Sequence, residues 1–320
     1  MGKCLKILLN FIYYTSKNFF SCVLYHSYNL MEKVMQLLID KELNSEDKIL
    51  KPDFNSKTGR ELLAFYLQTK FKQILACDNR HDTPIFKVVN PTFISRFTKR
   101  LINNPSKRLL VGITGESASG KSTICKEIKS IIEQFSMPVS VLSTDNYFND
   151  ISDLIKKYGS FDNLTDNGYD VDAPSSFQLE LLKKDLETLS LGETVMAPKY
   201  VPNGTGVSIP NAQEINSNKV VVVEGIATMY EDIKDLFDVR IYIETDNEIR
   251  RERFIKRAMT ERNQDEENTL KHWNYLISAG KKYVIPCREY ADFVLDGNSD
   301  LKYFDQILQY IYTVTNNFQS

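Results

Sequence analysis

Apolar residues along the chain follow two rhythms. Short, mainly apolar runs of strand length occupy 109–113, 139–143, 220–223, 239–243 and 292–295, and segments with apolar positions three and four apart separate them. The clearest such segment follows the first run, where Ile124, Ile128, Ile131 and Ile132 recur through Phe135. Strands alternating with helices predict an α/β fold, a mainly parallel sheet with helices on both faces. The unbroken Val220-Val221-Val222-Val223 run fits a strand buried on both sides. In such sheets ligands bind beyond the carboxyl ends of the strands, so the chemistry is expected just after each run. Upstream the rhythm is helical, over 29–42 and 60–77 and again between Asn90-Pro91 and Asn103-Asn104-Pro105. Residues 1–105 therefore read as an N-terminal helical extension and 106–320 as the α/β domain.

Composition narrows the classes of function. With 40 Lys+Arg against 42 Asp+Glu in 320 residues, the formal charge of −2 argues against general nucleic-acid binding. The charge is unevenly placed: residues 1–108 hold 18 basic and 9 acidic side chains, and the remainder 22 and 33. Five scattered cysteines with no C-x-x-C pair read as reduced thiols and point to the cytoplasm. Three dispersed histidines show no zinc spacing. Leu5 to Tyr25 is rich in Leu, Ile, Phe and Tyr, but Asn10, Lys17 and Asn18 interrupt it. A surface helix is expected there, with membrane contact as the alternative.

The first strand run leads into GITGESASGKST, residues 112–123, which meets the pattern G-x-x-x-x-G-K-[ST] at Gly115, Gly120, Lys121 and Ser122. A strand before it and a helix after it are the context that a phosphate-binding loop requires. Glycines let backbone N–H groups approach phosphate oxygens, and the helix dipole favours the anion. The stretch Gly115, Glu116, Ser117, Ala118, Ser119, Gly120, Lys121, Ser122 and Thr123 is thus the candidate ATP site. Lys121 is expected to reach the β and γ phosphates and Ser122 to ligate Mg²⁺. Asp145 follows the second run, placed to accept a proton from an attacking hydroxyl. Glu224 ends the valine run and is the second candidate Mg²⁺ ligand. The segment 245–262 sets Arg250, Arg253 and Arg257 on one helical face, with Arg262 following. Such a row fits a lid, around 247–265, that brings positive charge to the transferring phosphoryl group and expels water.

Taken together, GITGESASGKST, STDNYF, VVVVEG, the ETD…R…ER segment and Tyr290-Ala291-Asp292 resemble the uridine kinase and phosphoribulokinase family of P-loop kinases over about residues 108–297. The resemblance implies a nucleoside-kinase-like P-loop NTPase fold that uses ATP and Mg²⁺ to phosphorylate a small molecule's hydroxyl, and it suggests a homo-oligomer. Asp145 matches the family's catalytic base, Glu224 its Walker B acid, and Arg253, Arg257 and Arg262 its lid arginines. On the acceptor side Asp172, in Val171-Asp172-Ala173-Pro174, is similar to the F-D-H-P segment, and Tyr200, in Ala197-Pro198-Lys199-Tyr200, to the P-x-Y-D segment. Tyr147 belongs to a Tyr147-Phe148 pair that reverses the family's usual order, and Ala173, Ser175 and Val201 replace the family's histidine and acids. The acceptor is read as nucleoside-like, with a phosphorylated sugar or pantothenate as alternatives. A nucleotide-binding regulator is the reading from another class.

Overall fold

The computed structural model describes residues 86–90, 92–104, 106–134, 138–201, 204–261 and 265–298. The helices expected at 29–42 and 60–77 and the apolar N-terminal segment lie outside the described residues. Among the described residues no helix is long and apolar enough to cross a membrane.

In chain order the elements are β1 (Phe86–Val89), α1 (Phe93–Asn103), β2 (Leu109–Gly115), α2 (Lys121–Gln134), β3 (Val139–Ser143), α3 (Ser152–Tyr158), α4 (Phe161–Asp166), α5 (Leu179–Ser190), β4 (Val195–Tyr200), β5 (Ser208–Ile215), β6 (Val220–Glu224), β7 (Val239–Glu244), α6 (Asn247–Glu261), α7 (Glu266–Ala279) and β8 (Phe293–Asp296). Six strands form one sheet in the order β1-β8-β7-β2-β6-β3. The five strands read from the sequence are parallel within it. Burial explains their composition. All seven residues of β2 are buried, and the four valines of β6 have 0% exposure. Leu182, Leu186 and Leu189 of α5 pack at 0% exposure with Leu110, Val221, Val223 and Phe237. Their spacing of four and three makes one helical stripe, and each buried leucine contributes about 1.5–3 kcal/mol.

Strand β1 and helix α1 lie upstream of the boundary expected at residue 105. Strand β1 pairs antiparallel with β8, Phe86 opposite Leu295 and Val89 opposite Phe293, so the α/β domain takes its edge strand from the basic N-terminal third. Helix α1 follows it down: Phe93 stacks on Phe97 at 5.3 Å and meets Phe293 edge-on at 4.7 Å. Four residues containing a lysine are too short and too polar to stand out as a strand by pattern. The charges also find their use here. Lys87 lies 3.4 Å from Glu244 and 3.7 Å from Asp296, Arg96 pairs with Asp292, and Arg100 reaches Asp238 at 2.6 Å. Burial pushes the Asp238 carboxyl up from its ordinary range, and Arg100 opposes that shift. Part of the charge asymmetry is therefore neutralised across the sheet edge.

A second sheet, the β4–β5 hairpin, was not expected from the apolar pattern. It pairs Val195 with Ile215 and Tyr200 with Ser208, and its register slips beside Pro198. Proline removes a ladder donor and masks a strand in the sequence.

Candidate active site

Strand β2 runs straight into the phosphate loop, and α2 begins at its lysine. Gly115 sits at φ +147°, where a Cβ would lie 2.4 Å from the Ile243 carbonyl oxygen, so only glycine fits this turn. The loop is braced from behind. The Thr245 hydroxyl donates to the Ser119 carbonyl at 2.8 Å, and Ser119 N–H donates to the Glu116 carbonyl at 3.1 Å. Arg250, whose side chain has 0% exposure, places Nη1 2.7 Å from a Glu116 carboxylate oxygen and donates Nε–H to the Ser117 carbonyl at 3.0 Å. Its guanidinium also lies 5.5 Å from the centre of the Trp273 ring. The Lys121 ammonium donates to the Gly115 and Glu116 carbonyls at 2.9 and 3.0 Å.

Acidic groups from two strand ends and from the loop after α4 gather around that lysine. Glu224 ends β6 and accepts the Ser122 hydroxyl at 3.1 Å. Asp145 sits in the single 3₁₀ turn Thr144–Tyr147 that follows β3, with its N–H on the Ser143 hydroxyl. Burial pulls the Lys121 pKa down, Asp145 and Glu224 pull it up, and Arg250 and Arg257 add to the lowering. Asp172 is buried at 8% exposure. Desolvation, then the charges of Asp145 and Asp170, push its pKa up to about 7, against the pull of Lys121. These mutual effects place Asp145, Asp172, Lys121 and Glu224 in one electrostatic neighbourhood at the carboxyl end of the sheet.

A family model described as the phosphoribulokinase / uridine kinase family matches residues 110–302. The chain belongs to this family. It is 32% identical over 230 residues to uridine-cytidine kinase A of Dictyostelium discoideum, covering 69% of this chain and 43% of that protein. It is 28% identical over 218 residues to uridine-cytidine kinase 2-B of Danio rerio, covering 65% of this chain and 80% of the relative. It is 31% identical over 192 residues to a uridine kinase of Chlamydia pneumoniae, covering 59% and 82%. The chain spans less than half the length of the Dictyostelium relative.

Within this family frame the expected site residues divide. Gly115, Ser117, Ala118, Ser119, Gly120, Lys121 and Ser122 form one loop, and Thr123 is exposed in the first turn of α2. Glu116 turns its carboxylate to Arg250 and braces the loop from behind. Arg250, unlike the exposed Arg253, is a buried clamp on the loop. Arg253 is exposed and donates to the Gly297 carbonyl at 3.3 Å and to Asn298 Oδ1 at 3.0 Å, and its Nη1 lies 3.6 Å from where a Gly120 Cβ would be. Arg257 is half-buried and its charge reaches Lys121. Arg262 lies outside the described residues.

Tyr147, expected on the acceptor side, has its ring fully buried in the α5 cluster, and its hydroxyl donates to Asp185 at 2.7 Å. Its neighbour Phe148 takes the open side, with ring centroids 4.2 Å from Phe177 and 5.2 Å from Tyr200. Phe177 in turn meets Tyr230 edge-on at 5.8 Å. Tyr200 is thus part of an aromatic group beside Asp172, whose backbone carbonyl accepts the Tyr230 hydroxyl. The sequence reading missed Phe148, Phe177 and Tyr230 as a group. Alternation past the 3₁₀ turn was the available signal for Phe148, whereas Tyr230 had none.

Proposed function

We propose that the protein is an ATP- and Mg²⁺-dependent kinase that transfers the γ-phosphoryl group to a hydroxyl of an uncharged, nucleoside-like small molecule. One observation carries the reading: an exposed carboxylate, Asp145, and a buried one, Asp172, share the electrostatic surroundings of the phosphate-loop Lys121. In this reading the backbone N–H groups of the loop and Lys121 bind and orient the phosphates of ATP. Ser122 and Glu224 are hard oxygen donors 3.1 Å apart, the chemistry that Mg²⁺ selects, and would hold the ion. Bound there, Mg²⁺ supplies charge neutralisation on the phosphates. Asp145, exposed after β3, orients the acceptor hydroxyl and takes its proton. Arg253 and Arg257 bring compensating charge from α6 as the lid closes.

The acceptor side favours an uncharged polyol carrying an apolar face. Asp172 accepts hydrogen bonds from hydroxyls, Phe148, Phe177 and Tyr200 offer ring faces, and Asp170 and Asp172 repel a phosphorylated sugar. The names of the three relatives agree with a nucleoside. The test is ADP release from ATP and Mg²⁺ with uridine, cytidine, other nucleosides, ribulose 5-phosphate and pantothenate, with Asp145→Asn as control. Nucleoside-dependent turnover that Asp145→Asn abolishes supports the reading. Turnover with a phosphorylated sugar only, or none with any acceptor despite ATP binding, overturns it.

A further inference from the structure

The loop that carries Asp172 is held by side chains from a distant part of the chain. Asp170 Oδ1 accepts the Tyr275 hydroxyl at 3.0 Å, while Oδ2 accepts the Tyr283 hydroxyl at 2.8 Å and the Lys282 ammonium at 3.2 Å. The Tyr275 oxygen in turn accepts the Val171 backbone N–H at 2.7 Å, closing a ring of hydrogen bonds just before Asp172. Tyr275 belongs to α7, and Lys282 and Tyr283 belong to the π-helical turn Gly280–Val284 that prolongs it. Such turns are rare and shift side chains out of α-helical register, which here brings both onto Asp170. Two further contacts fix the same region: the Ser176 hydroxyl donates to the Asp170 carbonyl at 2.6 Å, and Lys271 of α7 pairs with Asp166 of α4 at 2.8 Å.

Three side-chain donors on one carboxylate exceed what a turn residue needs for its own loop. Helix α7 also packs on α6, which bears Arg253 and Arg257. The Asp172 loop and the arginine helix therefore share one support, and Asp170 is the joint between them. We propose that Asp170 is a positioning residue that fixes the 170–172 loop to α7, so that the Asp172 carboxylate meets the acceptor hydroxyl while the lid helices are in place. This inference rests on the reading of Asp172 as an acceptor contact. The groups whose charges act with Asp172 are Asp145 after β3, Lys121 of α2, Tyr230 after β6, Tyr275 of α7 and Asp170 itself.

The experiment compares the full chain with its Asp170→Asn, Tyr283→Phe and Asp172→Asn variants, using uridine as the acceptor probe. KM for uridine, KM for ATP and the pH profile of kcat/KM are measured. Loss of a hydrogen bond to a charged group predicts a KM for uridine raised about tenfold in Asp170→Asn and severalfold in Tyr283→Phe, with KM for ATP within about twofold of the parent. Removing the Asp170 charge lets Asp172 ionise more easily, so the acid limb of the profile moves to lower pH in Asp170→Asn and stays in place in Tyr283→Phe. A role in folding alone would move neither the ratio of the two KM values nor the limb. If Asp170→Asn does not fold, Tyr283→Phe, which removes one oxygen, carries the KM test. No uridine turnover by the parent, or an unchanged KM in Asp172→Asn, defeats the acceptor reading and this inference with it. A raised KM in Asp172→Asn beside an unchanged KM in Asp170→Asn and Tyr283→Phe overturns the inference alone.

Discussion

Removing the Glu116 carboxylate isolates a guanidinium that has no exposed surface. Arg250 has three polar partners, Glu116, the Ser117 carbonyl and Asn247 Oδ1, and Nη2 is buried with none. In Glu116→Ala the positive charge stays buried with two neutral acceptors. Breaking a buried ion pair from one side costs about 3–5 kcal/mol, and the 14% exposure of the Glu116 side chain puts the expected loss near the lower figure. Replacing both partners removes the stranded charge, so Glu116→Ala with Arg250→Met should recover most of that loss. The chain contains one tryptophan, Trp273, and its ring lies 5.5 Å from the guanidinium. Its fluorescence therefore reports unfolding of this part of the molecule directly. With an m-value of about 3 kcal/mol/M in urea, Glu116→Ala should lower the midpoint by about 1 M. A loss under about 1 kcal/mol, or a double variant as unstable as the sum of the singles, would refute the clamp.

The remaining predictions concern the site. Tyr147→Phe should cost about 1–3 kcal/mol in urea unfolding, by orphaning Asp185, and leave KM for the acceptor unchanged, whereas Phe148→Ala should raise that KM; the reverse pattern would restore Tyr147 to the pocket. Asp172 holds its proton in the folded state up to about pH 7 and in the unfolded chain only to about 3.8, so its contribution to stability falls as pH rises between those values. Asp172→Asn should consequently be more stable than the parent at pH 8, by up to a few kcal/mol, and close to it at pH 4, read from melting curves at both values. Ser122→Ala and Glu224→Gln should each raise the Mg²⁺ concentration needed for half-maximal ADP release by about tenfold, and an unchanged requirement would remove them as ligands.

What was legible in the sequence follows from what a local pattern can encode. Strands buried on both faces, such as Val220–Glu224, and the loop with its glycines at fixed offsets state their structure within a dozen residues. Strand Phe86–Val89 could not be read that way, because its stability comes from pairing with Phe293–Asp296 some two hundred residues later and from cross-sheet charges. The same limit governs the site. Asp145 and Glu224 announce themselves because strand ends are readable, and Lys121 because a motif contains it. Arg250 looked like its neighbours Arg253 and Arg257 on one helical face, yet a face is a row of positions along an axis, and only tertiary packing decides which of them is buried. Glu116 shows the converse: a carboxylate in a phosphate loop looks electrostatically wrong until its partner is seen, and Gly280 supplies the last condition. A Cβ at position 280 would lie 2.7 Å from Glu116 Oε1, so a side chain there would oblige the carboxylate to shift in its contact with Arg250. Three residues at 116, 250 and 280 thus constitute one feature that no segment of the chain contains alone, and a substitution at any one of them has to be judged by its effect on the other two.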